Sequence, residues 1–139
     1  VLRRAHRLRA SIYRSCKARM HDWPVLGADL ETLSDERARA GRYERLTDGP
    51  DALGLAWASD APELDAPLWP VVRSAVALLT SEDALSRVGQ CAGERCGWLF
   101  VDLGRGRPRR WCDMRDCGNV AKVRAYRRRQ RERGPGEVG

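Results

Sequence analysis

Two matched cysteine pairs, Cys91-x4-Cys96 and Cys112-x4-Cys117, constrain this chain more than any other feature. Four thiolates delivered by two short turns suit tetrahedral zinc, with each sulfur about 2.3 Å from the metal. Such a set completes the coordination sphere without Asp, Glu or His. No position stays open for water or substrate, so the spacing points to one structural Zn2+ and away from zinc catalysis. A spacing of four residues lies at the upper end of the usual range. Two competing readings therefore stay open: a pair of disulfides, or cysteines with no shared role.

Cysteine usage also bears on the compartment. Four thiols in metal spacing and one left over fit a reducing environment better than a secreted disulfide scaffold. The expected location is the cytoplasm. No stretch approaches the roughly 18 apolar residues of a membrane span, and no charged-then-apolar leader stands at the start. The fifth cysteine, Cys16, lies in a helical pattern and reads as a small core residue. At 139 residues the chain is one ordinary domain, or one domain plus a small module. It opens at Val1 directly into a helical pattern. It is read as a trimmed fragment or the product of a misread start codon, with whatever precedes that helix missing.

Charge is distributed unevenly. Residues 105 to 133 hold twelve Lys/Arg against three acids, a balance of +9, whereas the whole chain is +7, so the rest sums to −2. The basic character belongs to the cysteine-rich end. Such asymmetry is an argument about polyanionic partners and says nothing of fold.

The N-terminal part reads as mostly helical. Leu2, Ala5, Leu8, Ile12, Cys16 and Met20 recur at steps of three and four, which gives an amphipathic helix over 2–20 that Pro24 stops. A second helix is expected from Ala28 to Ala40, with Leu30 and Leu33 as its contacts. Residues 43–47 and 53–59 read as two short strands around Asp48-Gly49-Pro50-Asp51, a hairpin. A further helix follows over 63–79. Pro67 and Pro70 move its expected start toward Pro67. Thr80 to Asp83 then caps a short turn that ends near Arg87. Trp57 and Trp69 are expected core anchors. His6 and His21 read as solvated or capping residues, far in sequence from the thiols. This part contains no glycine-rich phosphate loop, no Ser-His-Asp set and no clustered carboxylates, so no enzymatic activity is expected.

In the cysteine-rich part, residues 92–95 form a first knuckle turn between Cys91 and Cys96. Trp98 to Asp102 is strongly β-forming, and Arg109 to Cys112 is expected as its return strand across a flexible loop at 104–108. A helical run begins near Val120, just after Cys117. Knuckle, hairpin, then a ligand at a helix start is the order of a treble-clef-like finger, and the positive helix end favours a thiolate there. Trp98, Leu99, Phe100 and Trp111 are expected to build its small core. The fold class is therefore α+β: a mostly helical N-terminal domain with a short β-hairpin, followed by a small four-cysteine zinc finger. The expected boundaries are 1–87, then 88–133 with a basic C-terminal helix, and a flexible tail at 134–139.

These residues resemble a known family. Cys-x4-Cys, Gly-Trp-Leu-Phe, Arg-Arg-Trp-Cys, then Cys-Gly-Asn and Ala-Lys-Val-Arg-Ala-Tyr, in that order over about 45 residues, look like the CGNR zinc finger. Upstream, Leu68-Trp69-Pro70-Val71-Val72-Arg73-Ser74-Ala75 and Leu78-Leu79-Thr80 are similar to the end of the ABATE domain. The resemblance implies a bacterial protein of the stress-induced transcription regulator type, lacking the front of the usual ABATE domain. One departure stands out: the Arg that follows Cys-Gly-Asn in the family is Val120 here. If that Arg contacts phosphate, one contact is in doubt; if the position packs inward, Val is acceptable.

The functional expectation is a zinc-binding, DNA-binding transcription regulator. Its basic loop and helix would place Arg105, Arg107, Arg109, Arg110, Lys122, Arg124, Arg127, Arg128, Arg129 and Arg131 on phosphates. RNA is a competing partner, with Tyr126 and Trp98 stacking on bases. The alternative is an effector-sensing or protein-interaction module whose finger is purely structural. In it the arginine-rich tail is simply solvated, and a small-molecule effector binds the N-terminal part.

Overall fold

The computed structural model describes residues 1–58, 64–104, 106 and 108–132. The expected basic-loop residues Arg105 and Arg107, the C-terminal tail, and the ends of the second strand and third helix at 59–63 lie outside them. The chain divides into two compact units, Val1–Ser86 and Arg87–Gly139.

The first unit is a helical layer with one hairpin. Helix α1 (Leu2–Met20) and helix α2 (Gly27–Gly41) pack on each other and on helix α3 (Leu68–Leu79). A short helix α4 (Glu82–Ser86) follows, its first turn capped by the Ser81 hydroxyl, which accepts from the Ala84 N–H at 3.2 Å. Strands β1 (Glu44–Thr47) and β2 (Gly54–Trp57) pair antiparallel, with Glu44 opposite Trp57 and Thr47 opposite Gly54. Leu8, Leu33, Ala40, Trp69 and Val72 are buried together, with Ile12, Tyr43, Trp57 and Leu79 packed around them. Tyr43 lies parallel to Trp69, ring centroids 4.2 Å apart, and Trp57 tilts against the same indole at 5.8 Å. Trp57 and Trp69 are thus the anchors expected of them.

Not every expected apolar contact is inside. Leu2 and Leu30 are exposed, while Ser11, Ser15, Asp29, Glu36 and Asp65 are buried. Buried charge survives only when paired, and here it is. Arg4 forks onto both oxygens of Glu36 at 2.8 and 2.6 Å and also bonds Asp65. Asp29 accepts from Arg14 and from the Ser11 hydroxyl. The Arg4 hydrogen bonds hold Glu36 below its ordinary value against the opposing effect of burial. Arg14 does the same for Asp29. Burial pushes the Cys16 thiol up, which keeps it protonated and inert, as a core residue should be.

In the second unit, strands β3 (Val88–Gln90) and β4 (Leu99–Val101) pair antiparallel, Gly89 facing Phe100. A side chain at Gly89 would meet the Phe100 ring at 2.7 Å, so the ring occupies the space that a bare backbone leaves. The expected return strand at 109–112 is not a strand, and β4 has β3 as its partner instead. The reason is local. The Arg109 N–H goes to the Asp102 carboxylate at 2.9 Å and the Arg110 carbonyl accepts from Ala92, so neither is available to a ladder. A five-residue turn of π type (Met114–Gly118) then leads into helix α5 (Asn119–Glu132). No helix among the described residues is long and apolar enough to cross a membrane.

Candidate metal centre

Cys91 continues from β3, and its N–H donates to the Trp98 carbonyl at 2.9 Å, which extends the strand pair to the mouth of the knuckle. The Cys96 N–H closes that knuckle on the Gly93 carbonyl at 2.9 Å. Cys112 follows the segment tied to Ala92 through Arg110. Cys117 sits in the π-type turn, two residues before α5 begins. Asp113 starts this turn by accepting from the Arg115 N–H at 2.6 Å. Gly118 closes it, donating to the Asp113 carbonyl at 3.0 Å. A Cβ at Gly118 would lie 2.8 Å from the Met114 sulfur and 3.2 Å from Trp111, so a side chain there would push the flexible Met114 aside.

These elements bring the four sulfurs within 4.8 Å of one another. Cys112 Sγ lies 3.7 Å from both Cys96 Sγ and Cys117 Sγ. A tetrahedron with Zn–S bonds of about 2.3 Å has edges of about 3.8 Å. The donor set, number and spacing all fit zinc, whereas a disulfide would need about 2.05 Å. All five cysteines are free thiols, so the disulfide reading falls. Among the described residues no other His, Cys, Asp or Glu cluster can hold a metal, and His6 and His21 play no part.

Crowding shapes the thiol chemistry. Burial opposes the Cys91 thiolate, but hydrogen bonds from the Cys112 and Gly93 backbone outweigh it and bring the thiol down to about 7. Burial and the neighbouring Cys91 sulfur push Cys112 up. The Cys112 and Cys91 sulfurs push Cys117 up as well. One thiolate forms readily and the next ones repel it; a dication in the centre reverses that repulsion.

A family model described as "Putative stress-induced transcription regulator", ABATE, matches residues 1–82, more than half of the chain. The chain belongs to the ABATE family. The CGNR zinc finger model matches residues 87–130, so this ABATE protein is zinc-binding and its four cysteines can hold one ion. No curated protein matches the chain.

Around the ABATE protein's metal centre, the basic residues fall into distinct groups. Arg109 is engaged within the finger: its guanidinium donates to the Trp111 and Cys112 carbonyls and lies 4.7 Å from the Phe100 ring centroid. Arg110 lies over Trp111 at 5.4 Å. On α5, about 100° per residue places Arg124, Arg127, Arg128 and Arg131 within one arc of about 100°. Lys122 and Arg129 lie on a different side. Arg124 is ion-paired to Glu94 of the knuckle at 2.6 Å, and Arg128 reaches Glu132 at 3.9 Å. Ala121 and Ala125 form the half-buried face of α5, while Val120, Val123 and Tyr126 are exposed.

Between knuckle and helix runs a groove of ≈ 620 Å³ lined by Arg95, Trp98, Arg110, Val120, Arg124 and Arg128, among others. Arg95 escaped the sequence reading because nothing in its spacing ties a knuckle residue to a helix some thirty positions away. Trp98, expected in the finger's core, is 68% exposed and lines this groove instead. Leu99, Phe100 and Trp111 are half-buried. Val120 stands on the groove wall, where the family's Arg would add a charge.

Proposed function

We propose that this ABATE protein is a non-enzymatic, DNA-binding transcription regulator of the cytoplasm, with α5 and its groove on the phosphate backbone. The observation that carries the reading is the arginine arc of α5: Arg124, Arg127, Arg128 and Arg131 face one way, beside Arg110 across the groove. Zinc would act there by fixing the knuckle against the start of α5, and four thiolates leave it no open position for catalysis. Thiolate ligands persist where disulfides do not form, which favours a reducing compartment.

Five arginines on five phosphates correspond to a slope of log K against log salt near −4.5. Most of that affinity is independent of sequence, because phosphate contacts position a protein before any base is read. The test is fluorescence anisotropy of a labelled random-sequence duplex with the zinc-loaded chain across a salt series. Changing Arg127, Arg128 and Arg131 together to Gln should flatten the slope by about 2.7, with zinc content unchanged. Salt-insensitive binding, or a triple variant that binds like the parent, overturns the reading. Tighter binding to single-stranded RNA than to duplex would make RNA the target, with the exposed Trp98 as its stacking platform.

A small-molecule effector is a second element of the reading, and one observation favours it: the first unit contains a cavity of its own.

A further inference from the structure

Among α1, α2 and α3 lies a cavity of ≈ 350 Å³. Its walls are apolar, built from Leu30, Leu33, Val76 and Leu79, and Leu30 forms a lip that is half open to solvent. Its charged groups are all of one sign, among the neutral Ser34 and Thr80. Arg19 and Arg37 line it, and no acidic residue does. Arg37 shares Glu44 with Arg73 at 3.5 Å, and Arg19 has no acidic partner among the described residues. The third feature is Ser15. The residue is part of the cavity wall and 1% exposed, and its Oγ is buried with no hydrogen-bond partner. A buried hydroxyl without a partner is costly, and a bound acceptor would relieve it. Ser15 and Arg19 are four residues apart on α1, so they lie on one face. Together they offer a neutral and a charged donor from the same side.

We propose that this cavity binds a small organic acid, with its carboxylate on Ser15, Arg19 and Arg37 and an apolar body against the leucines and Val76. At the roughly 30 Å³ that a water occupies in liquid, the volume holds about a dozen non-hydrogen atoms. This lies at the small end of ligand pockets. A longer amphiphile would leave its tail in solvent past Leu30. The proposal rests on the effector element of the reading above and not on nucleic-acid binding.

The test titrates the full, zinc-loaded chain with hexanoate, octanoate and 4-phenylbutyrate, and with 4-phenylbutylamine as the cationic counterpart, following backbone amide shifts by NMR. At least one acid should bind in the millimolar range or tighter and move amides of α1, α2 and α3 around the cavity. The amine should bind about tenfold more weakly or not at all. Arg19→Gln should weaken the acid by about tenfold while leaving the helical circular dichroism unchanged, since the residue is exposed. Ser15→Ala should weaken the acid yet leave the empty protein as stable or more so, an outcome that loss of fold would not produce. Equal binding of acid and amine, shifts that avoid the cavity, or no binding by any of the three acids at millimolar concentration overturns the proposal. Because no nucleic acid is present, that failure leaves the phosphate reading of α5 untouched.

Discussion

Trp69 in the first unit is 3% exposed, and Trp98 in the second is 68% exposed. The two residues stand for two ways of holding a chain together. The first unit buries Leu8, Leu33, Ala40, Trp69 and Val72 in one cluster and surrounds it with paired charges. Among the described residues of the second unit, only Cys91 and Gly118 are buried. A segment with so little apolar burial cannot offset its conformational entropy by hydrophobic contact. Its fold depends on the four thiolates, and metal binding is then inseparable from folding. The unit with the core has room for a cavity, and the unit with the metal keeps its α5 arginines on an exposed face, Arg124 and Arg128 in surface ion pairs.

Breaking the metal site should give the largest effect. Cys112→Ser removes the sulfur that lies 3.7 Å from two others. The chain should then lose its zinc and the ordered structure of 87–132, with apparent binding energies of such sites on the order of 10 kcal/mol. Metal analysis and NMR dispersion check both. The helices of the first unit should remain.

Trp69→Ala strikes the other unit. It removes the indole on which Tyr43 stacks and against which Trp57 tilts. A loss of about 3 to 5 kcal/mol is expected, read as a lower denaturation midpoint of the helical signal, while the zinc-to-protein ratio stays at one.

Arg4→Ala is next. It leaves Glu36 and Asp65 buried without their cation, and because Arg4 is partly exposed a cost of about 2 to 3 kcal/mol is expected. Glu36, together with Asp29, also makes the first unit sensitive to acid. Glu36 and Asp29 are held below their ordinary values of 4.5 and 3.8 by Arg4 and Arg14. Their contribution is in place above those values and is lost as pH falls through the depressed ones. Denaturant midpoints measured downward from neutral pH should fall on the acid side of 4.5. In the Arg4→Ala protein the Glu36 part of that fall should be absent.

The smallest effect sharpens the functional side of the comparison. Val120→Arg restores the family's residue on the groove wall. It should steepen the salt slope of duplex binding by about 0.9 with no change in zinc content. An unchanged slope would place position 120 outside the phosphate contacts.

How much of this was legible in the sequence depends on where each signal lies. Helix α1 was readable over its whole length, because its apolar spacing and Pro24 are local features. The start of α3 at Leu68, beside Pro67, was readable too, because Pro67 and Pro70 suit a first turn and not an interior. The finger's strand pairing was misread, since β3 is three residues with a glycine at its centre and looks like a connector. Its competitor, 109–112, looks β-forming but has its backbone bonded to Asp102 and Ala92. The zinc ligands were legible because cysteine spacing carries the chemistry directly. The paired burial of Arg4 with Glu36 and Asp65 was not, because those partners are 32 and 61 positions apart. The cavity beside Ser15 was invisible for the same reason: it exists only once three helices meet.

Hydrogen exchange of the intact reduced chain, with zinc and after chelation, tests the contrast between the two units most directly. The expected result is loss of amide protection throughout 87–132 on chelation, including the Cys91, Cys96 and Gly118 amides. Protection in α1, α2 and α3 should stay in place. Protection that persists in the cysteine-rich unit without metal, or that vanishes from both units together, would contradict the account.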